Sequence, residues 1–249
     1  MIAHLRSLLF TIVFFIGVEL IITFSLLGER KGLVLGAVLL LFALYAGWNV
    51  GKSFIYAFFP FALALASFGL LYFIDNFQER QIFSVLVSIL YYATLLGIKR
   101  ICKNPFDMTA RSLFSAALIA TIFLFYAVVY GFYINFNIPL WLFMATHFVF
   151  VSTITFVSLR SYSSDIKRIL LYSTIIAFVM IQFVWMTNFW PFGYLTMAAI
   201  NLMFYYILWD MVQMVFLETL SKRRILISII YCIILTVAVL FTTQWLLVD

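Results

Sequence analysis

The sequence predicts an all-α integral membrane protein: a bundle of about nine transmembrane helices with short loops, N-terminus cytoplasmic and C-terminus outside. Three observations predict it. The 249 residues are 67% hydrophobic and 10% charged, with mean hydropathy +1.18. A soluble domain covers itself with about 25% charged residues. Apolar runs of spanning length, about 20 residues at 1.5 Å each, recur along the chain. Basic residues stand between those runs, and their distribution is lopsided.

The runs lie at roughly 8–27, 33–50, 54–74, 82–98, 112–134, 139–159, 168–187, 194–219 and 225–247. The first follows MIAHLR. It is longer than the apolar stretch of a secretory signal, and no small-residue cleavage site follows, so it reads as a retained helix. GERKG leads into the second run, NVGKS into the third and DNFQERQ into the fourth. The longest connection, KRICKNPFDMTAR, separates the fourth from the fifth. NFNIP opens the sixth run, RSYSSDIKR the seventh, NFWPFG the eighth and ETLSKRR the ninth. None of these connections can hold a soluble domain, so residues 1–249 read as a single polytopic domain.

Orientation comes from charge. Arg6, Lys52, Lys99, Arg100, Lys103, Arg111, Arg160, Lys167, Arg168, Lys222, Arg223 and Arg224 share one side. Arg30, Lys31 and Arg80 share the other, beside Glu29, Asp75 and Glu79. The positive-inside rule makes the first side cytoplasmic, in a cytoplasmic (inner) membrane. Tyr133, Trp141, Trp185, Trp190, Tyr194 and Trp245 fall near the outer ends, where amphipathic rings favour the headgroup region. Arg30 and Lys31 oppose the rule, which leaves a re-entrant first hairpin as the alternative for that part. Asn135-Phe136 and Met144-Ala145 recur one hairpin later as Asn188-Phe189 and Met197-Ala198. Similar turn chemistry at the outer ends explains this better than a tandem repeat.

A formal charge of +6 therefore reports orientation, and no nucleic-acid partner is expected. The expected partners are the lipid bilayer and other membrane subunits or a second copy of the chain. Cys102, in the cytosolic connection, and Cys232, inside a helix, are not expected to pair.

Charges in the bilayer cost about 2.5–3.5 kcal/mol at a helix centre, so each needs a reason. Two carboxyls qualify: Glu19 in GVELIITF, about 18 Å from the inner end of its run, and Asp210 in YYILWDMVQM, about 15 Å from its own. Tyr206, Asp210, Gln213 and Leu217 have helical spacing and put three polar groups on one stripe, with Asn201 and Tyr205 on another face. One reading is a proton- or cation-binding carboxylate lining a cavity. The other is a protonated Asp bonded to a neighbouring helix as packing glue. His147 and Gln182 reach depths similar to Glu19, at roughly 20 and 21 Å, which suggests a proton relay. The plainer alternative for His147 is a neutral core imidazole satisfied by Ser or Thr. Ser152, Thr153, Thr155 and Ser158 are expected to bond across helix interfaces. In the long connection, Lys99, Arg100, Lys103 and Arg111 are candidate contacts for lipid headgroups, with Ile101 and Phe106 at the acyl boundary.

Catalysis finds no footing in these residues. Two histidines, His4 and His147, exclude a bis-His haem pair within the membrane and make a His-rich metal site implausible. There is no HExxH, GxSxG or Walker loop, no mid-span lysine for a Schiff base, and no Gly-rich filter loop. Catalytic residues, metal and cofactor are therefore all expected to be none. The favoured reading is a transporter or permease-like protein with a polar core around Asp210 and Glu19. The alternative is a non-catalytic membrane subunit or scaffold. A lipid-modifying enzyme ranks last, because the loops lack acid/base clusters.

Overall fold

The computed structural model describes residues 2–25, 29–104, 107–163 and 165–243, the side chains of 2–4, 24, 25, 29 and 30 excepted. Trp245 and Phe106 lie outside that set. The described residues form nine helices and no strand: α1 Ile2–Ser25, α2 Glu29–Gly51, α3 Phe54–Leu71, α4 Phe77–Lys103, α5 Met108–Phe136, α6 Leu140–Leu159, α7 Ile166–Thr187, α8 Tyr194–Phe216 and α9 Lys222–Thr242. All nine are long and apolar enough to cross a membrane. The first hairpin forms two such helices, α1 and α2, and not the short broken segments of a re-entrant pair.

Several helices outrun the apolar runs because a backbone hydrogen-bond ladder continues where hydropathy stops. α4 is the clearest case: it begins five residues before its apolar run. Asn76 caps it, its side chain accepting from the Gln78 N–H at 3.1 Å and donating to Glu79 at 3.3 Å. Its other end reaches Lys103, so Cys102 sits in the last turn and not in a loop; its thiol lies 3.4 Å from the Gly51 carbonyl. Asp107 starts α5 by accepting from the N–H groups of Thr109 and Ala110. Asp165 and Ser221 do the same for α7 and α9.

α8 stops earlier than its run. Glu218 takes a left-handed φ of 54°. The Thr219 N–H then reaches the Met214 carbonyl at 3.0 Å and that of Glu218 reaches Val215 at 3.4 Å. That is a Schellman close with Glu where Gly is usual.

The chain gathers into two compact units, Met1–Thr121 and Ile122–Asp249. In the first, α1 packs on α2 and α4, and α3 on α2 and α4. Gly47 and Gly51, a G-x-x-x-G pair, bring α2 against the start of α3. A Cβ on Gly47 would stand 2.8 Å from Ala57 Cα, and one on Gly51 2.9 Å from Tyr56 Cβ. Phe14 stacks on Tyr91 and Phe59 on Phe114, with centroids 4.0 and 4.6 Å apart. A void of about 10 Å³ beside Phe14, Leu39 and Val87 is wholly apolar and no larger than one water.

In the second unit α7 packs on α6 and α8, and α8 on α9. A ladder of side-chain hydrogen bonds joins α6 and the turn after it to α8. Thr155 meets Tyr205 at 3.1 Å, Trp209 Nε1 donates to Ser158 at 3.1 Å, and Gln213 donates to Tyr162 at 2.9 Å. Thr153 instead bonds within its own helix, to Val149. Asn135 lies in the last turn of α5, its side chain on the Gly131 carbonyl, while Asn188 caps α7 and donates to Tyr133, so the two Asn-Phe pairs do not occupy equivalent positions. Cys102 and Cys232 are both free thiols.

Candidate functional site

Glu19 is half-buried in the first unit and accepts two hydrogen bonds from α4, one from Gln81 Nε2 at 2.8 Å and one from the Ser84 hydroxyl. Both donors lie on one face of α4 because they are three residues apart. Helical rise puts Glu19 about 9 Å from Ser25, the last residue of α1, and Gln81 about 6 Å from the start of α4. The carboxyl therefore belongs near one end of its unit and not at mid-depth, since α1 begins several residues before its apolar run. Gln81 is missed from sequence because DNFQERQ reads as a connection, and Ser84, inside the fourth run, because no spacing rule pairs that run with Glu19. The Asn76–Glu79 capping pair is the signal that the helix already begins there.

Asp210 is also nearer a helix end than expected. With α8 closing at Phe216 it lies about 9 Å from that end. Ser228 of α9 donates to it at 3.0 Å. The expected stripe divides. Asp210 turns to α9, Gln213 to Tyr162, and Tyr206 is 44% exposed. Among the described residues no basic side chain pairs with Glu19 or Asp210; the ion pair present is Arg100 with Asp107, at 3.1 Å.

His147 is fully buried in the second unit, 1% exposed. Its Nδ1 lies 2.8 Å from the Phe143 carbonyl. A carbonyl can only accept, so Nδ1 carries the proton and Nε2 holds a lone pair. The ring is boxed by Phe125, Tyr126, Tyr130 and Phe143, with centroids 5.6, 5.2, 5.7 and 4.5 Å away. Beside it the Tyr130 hydroxyl meets Thr187 at 2.8 Å and the Val184 carbonyl at 3.2 Å. Asn201 Nδ2 reaches Tyr130, Thr187 and the Met197 carbonyl at 3.0, 2.9 and 2.9 Å. Four helices thus meet in one polar core. Its centre is Asn201, buried as α8's hydrogen-bonding face, and not Asp210.

Glu19 is bonded to Gln81 and Ser84 in the first unit, and His147 to Phe143 in the second. Gln182 is an exposed residue of α7 outside the core. His147 donates its Nδ1–H to a backbone carbonyl and not to a Ser or Thr. Of the headgroup candidates, Lys103 is exposed, Lys99 and Arg111 are half-buried, and Arg100 is tied to Asp107. Ile101 is 3% exposed and packs in protein, so it is not at the acyl boundary; the turn it occupies is the tail of α4. No group of three or more His, Cys, Asp or Glu is placed to hold a metal among the described residues. No protein-family model, curated protein or solved structure matches the chain.

Proposed function

We propose that the protein is a multi-pass carrier of the cytoplasmic membrane, transporter or permease-like, in which Glu19 and Asp210 bind and release a proton or small cation. One observation carries this reading. Each carboxyl stands inside an apolar helix where, among the described residues, its hydrogen-bond donors are neutral: Gln81 and Ser84 for Glu19, Ser228 for Asp210. A carboxylate without a cationic partner in such surroundings is costly, and binding a proton or cation removes the cost. Binding is then coupled to the charge state of the helix that carries it.

The charge distribution supports a cytoplasmic N-terminus and an outer C-terminus. In that orientation Glu19 stands toward the outer end of α1 and Asp210 toward the cytoplasmic end of α8. The basic ends of α4 and α5, with Lys99, Lys103 and Arg111, then lie at the inner headgroups.

Reconstituted vesicles holding a pH dye test the reading. Wild-type vesicles under an imposed pH gradient are expected to take up protons well above protein-free ones, and Glu19→Gln or Asp210→Asn to cut uptake about tenfold. Equal uptake by wild-type and empty vesicles overturns it.

A subunit or scaffold role is the second reading, and α9 favours it. Cys232 is its buried residue, while Leu226, Tyr231, Ile233, Ile234 and Phe241 are exposed. On that reading Asp210→Asn lowers thermal stability and leaves vesicle flux unchanged.

A further inference from the structure

Six cations gather at one end of the first unit: Arg6, Lys52, Lys99, Arg100, Lys103 and Arg111. The contacts between α1 and α4 show how. Glu19 of α1 meets Gln81 and Ser84 of α4, and Phe14 stacks on Tyr91. The two helices therefore run antiparallel, since lower numbers on one meet higher numbers on the other. Eight residues back from Phe14 is Arg6, and eight on from Tyr91 is Lys99. Each step covers about 12 Å of helix, so the two cations arrive at one level. Lys99 is accordingly within electrostatic reach of Arg6, and of Lys103 one turn on.

Neighbouring helices add to the group. Gly51, just before Lys52, has its carbonyl 3.4 Å from Cys102 Sγ. A Cβ on Gly97 would stand 3.5 Å from the Ala110 carbonyl oxygen, just before Arg111. Arg100 is paired with Asp107, the carboxylate that the described residues place at this end. Asp75 and Glu79 belong to the opposite end, at the start of α4. The positive-inside rule asks only that basic residues share a side. It does not ask that Lys99, half-buried, stand beside both Arg6 and Lys103. Like charges so placed repel, and an anion among them removes that cost.

Two features choose the anion. A phosphodiester carries a single charge, so three cations with two more flanking them match a head with two phosphates. Next to Arg6, Leu5 and Leu9 are 65% and 55% exposed, an apolar surface that suits acyl chains and not a soluble anion. We infer that the α1–α4 seam at this end binds a membrane lipid whose head carries two phosphates. Arg6, Lys99 and Lys103 hold the phosphates, and Lys52 and Arg111 flank them. The inference goes beyond the carrier reading and needs only that these helices span the bilayer.

Delipidated full-length protein in detergent, titrated with cardiolipin and read by native mass spectrometry, gives the test. One cardiolipin is expected to bind saturably, and more tightly than phosphatidylglycerol supplied at twice the concentration to match its phosphate. Arg6→Gln, Lys99→Gln and Lys103→Gln should each weaken binding about fivefold, and together about a hundredfold. The charge-keeping set Arg6→Lys, Lys99→Arg and Lys103→Arg should retain it. Lys167→Gln, Lys222→Gln and Arg223→Gln together remove as many charges from the second unit and should leave it unchanged. Equal weakening by the two triple Gln variants overturns the site. Phosphatidylglycerol binding as tightly as cardiolipin overturns the two-phosphate head. Displacement of the lipid by inorganic pyrophosphate at equal concentration overturns the choice of a lipid. Proton uptake enters none of these readouts, so the site and the carrier reading fail separately.

Discussion

Tyr130 shows how much one hydroxyl can hold in a buried core. It touches Val184, Thr187 and Asn201 at once. Tyr130→Phe deletes the hydroxyl and leaves its partners buried, so a loss of about 1–3 kcal/mol is expected, read as a lowered Tm in detergent. Asp107, outside the apolar spans, works through charge. A hydrogen bond from the Thr109 hydroxyl, at 2.6 Å, is the largest cause that keeps its carboxyl below the usual range. The Ala110 N–H and the Arg100 guanidinium add to it. The folded value lies below the unfolded one. Its stabilisation is therefore present above about pH 4 and lost as pH falls through the folded value. Asp107→Asn should lower Tm at neutral pH and cost nothing once wild-type Asp107 is itself protonated. An equal loss at both pH values would count against the charge.

At the scale of the helix, two backbone features set stability. Gly47→Ala drives a methyl against the Ala57 backbone, which cannot rotate away, and about 1–3 kcal/mol should be lost from the α2–α3 contact. Glu218→Gly should act the other way. It relieves a left-handed residue at the close of α8 and raises Tm by the equivalent of about 1 kcal/mol. Helix existence is legible from hydropathy in every case, because each span has to be apolar. Helix ends are not. They are decided by Asn76, Asp107, Asp165 and the Glu218 turn, local hydrogen bonds that a hydropathy window averages away. The error carries into the site, moving Glu19 and Asp210 off mid-depth and hiding Gln81 in an expected loop.

For the molecule as a whole, sequence marks which residues are polar in apolar helices but not which helices touch. His147 and Asn201 are both visible in it. Their meeting through Tyr130 depends on how the consecutive helices α5 to α8 pack, and no spacing rule encodes it. The proposed orientation has its own check. In a chain with Cys102 and Cys232 replaced by Ser, the Asn137→Cys variant should react with an impermeant maleimide in intact cells. The Ser163→Cys variant should react only after the membrane is opened, and the reverse pattern would invert the topology. The α6–α8 ladder adds a mechanical consequence. Thr155–Tyr205, Ser158–Trp209 and Tyr162–Gln213 are rungs at successive turns. A slip of one turn, about 5.4 Å, would break all three bonds as they stand. The two helices are thereby pinned in one axial register.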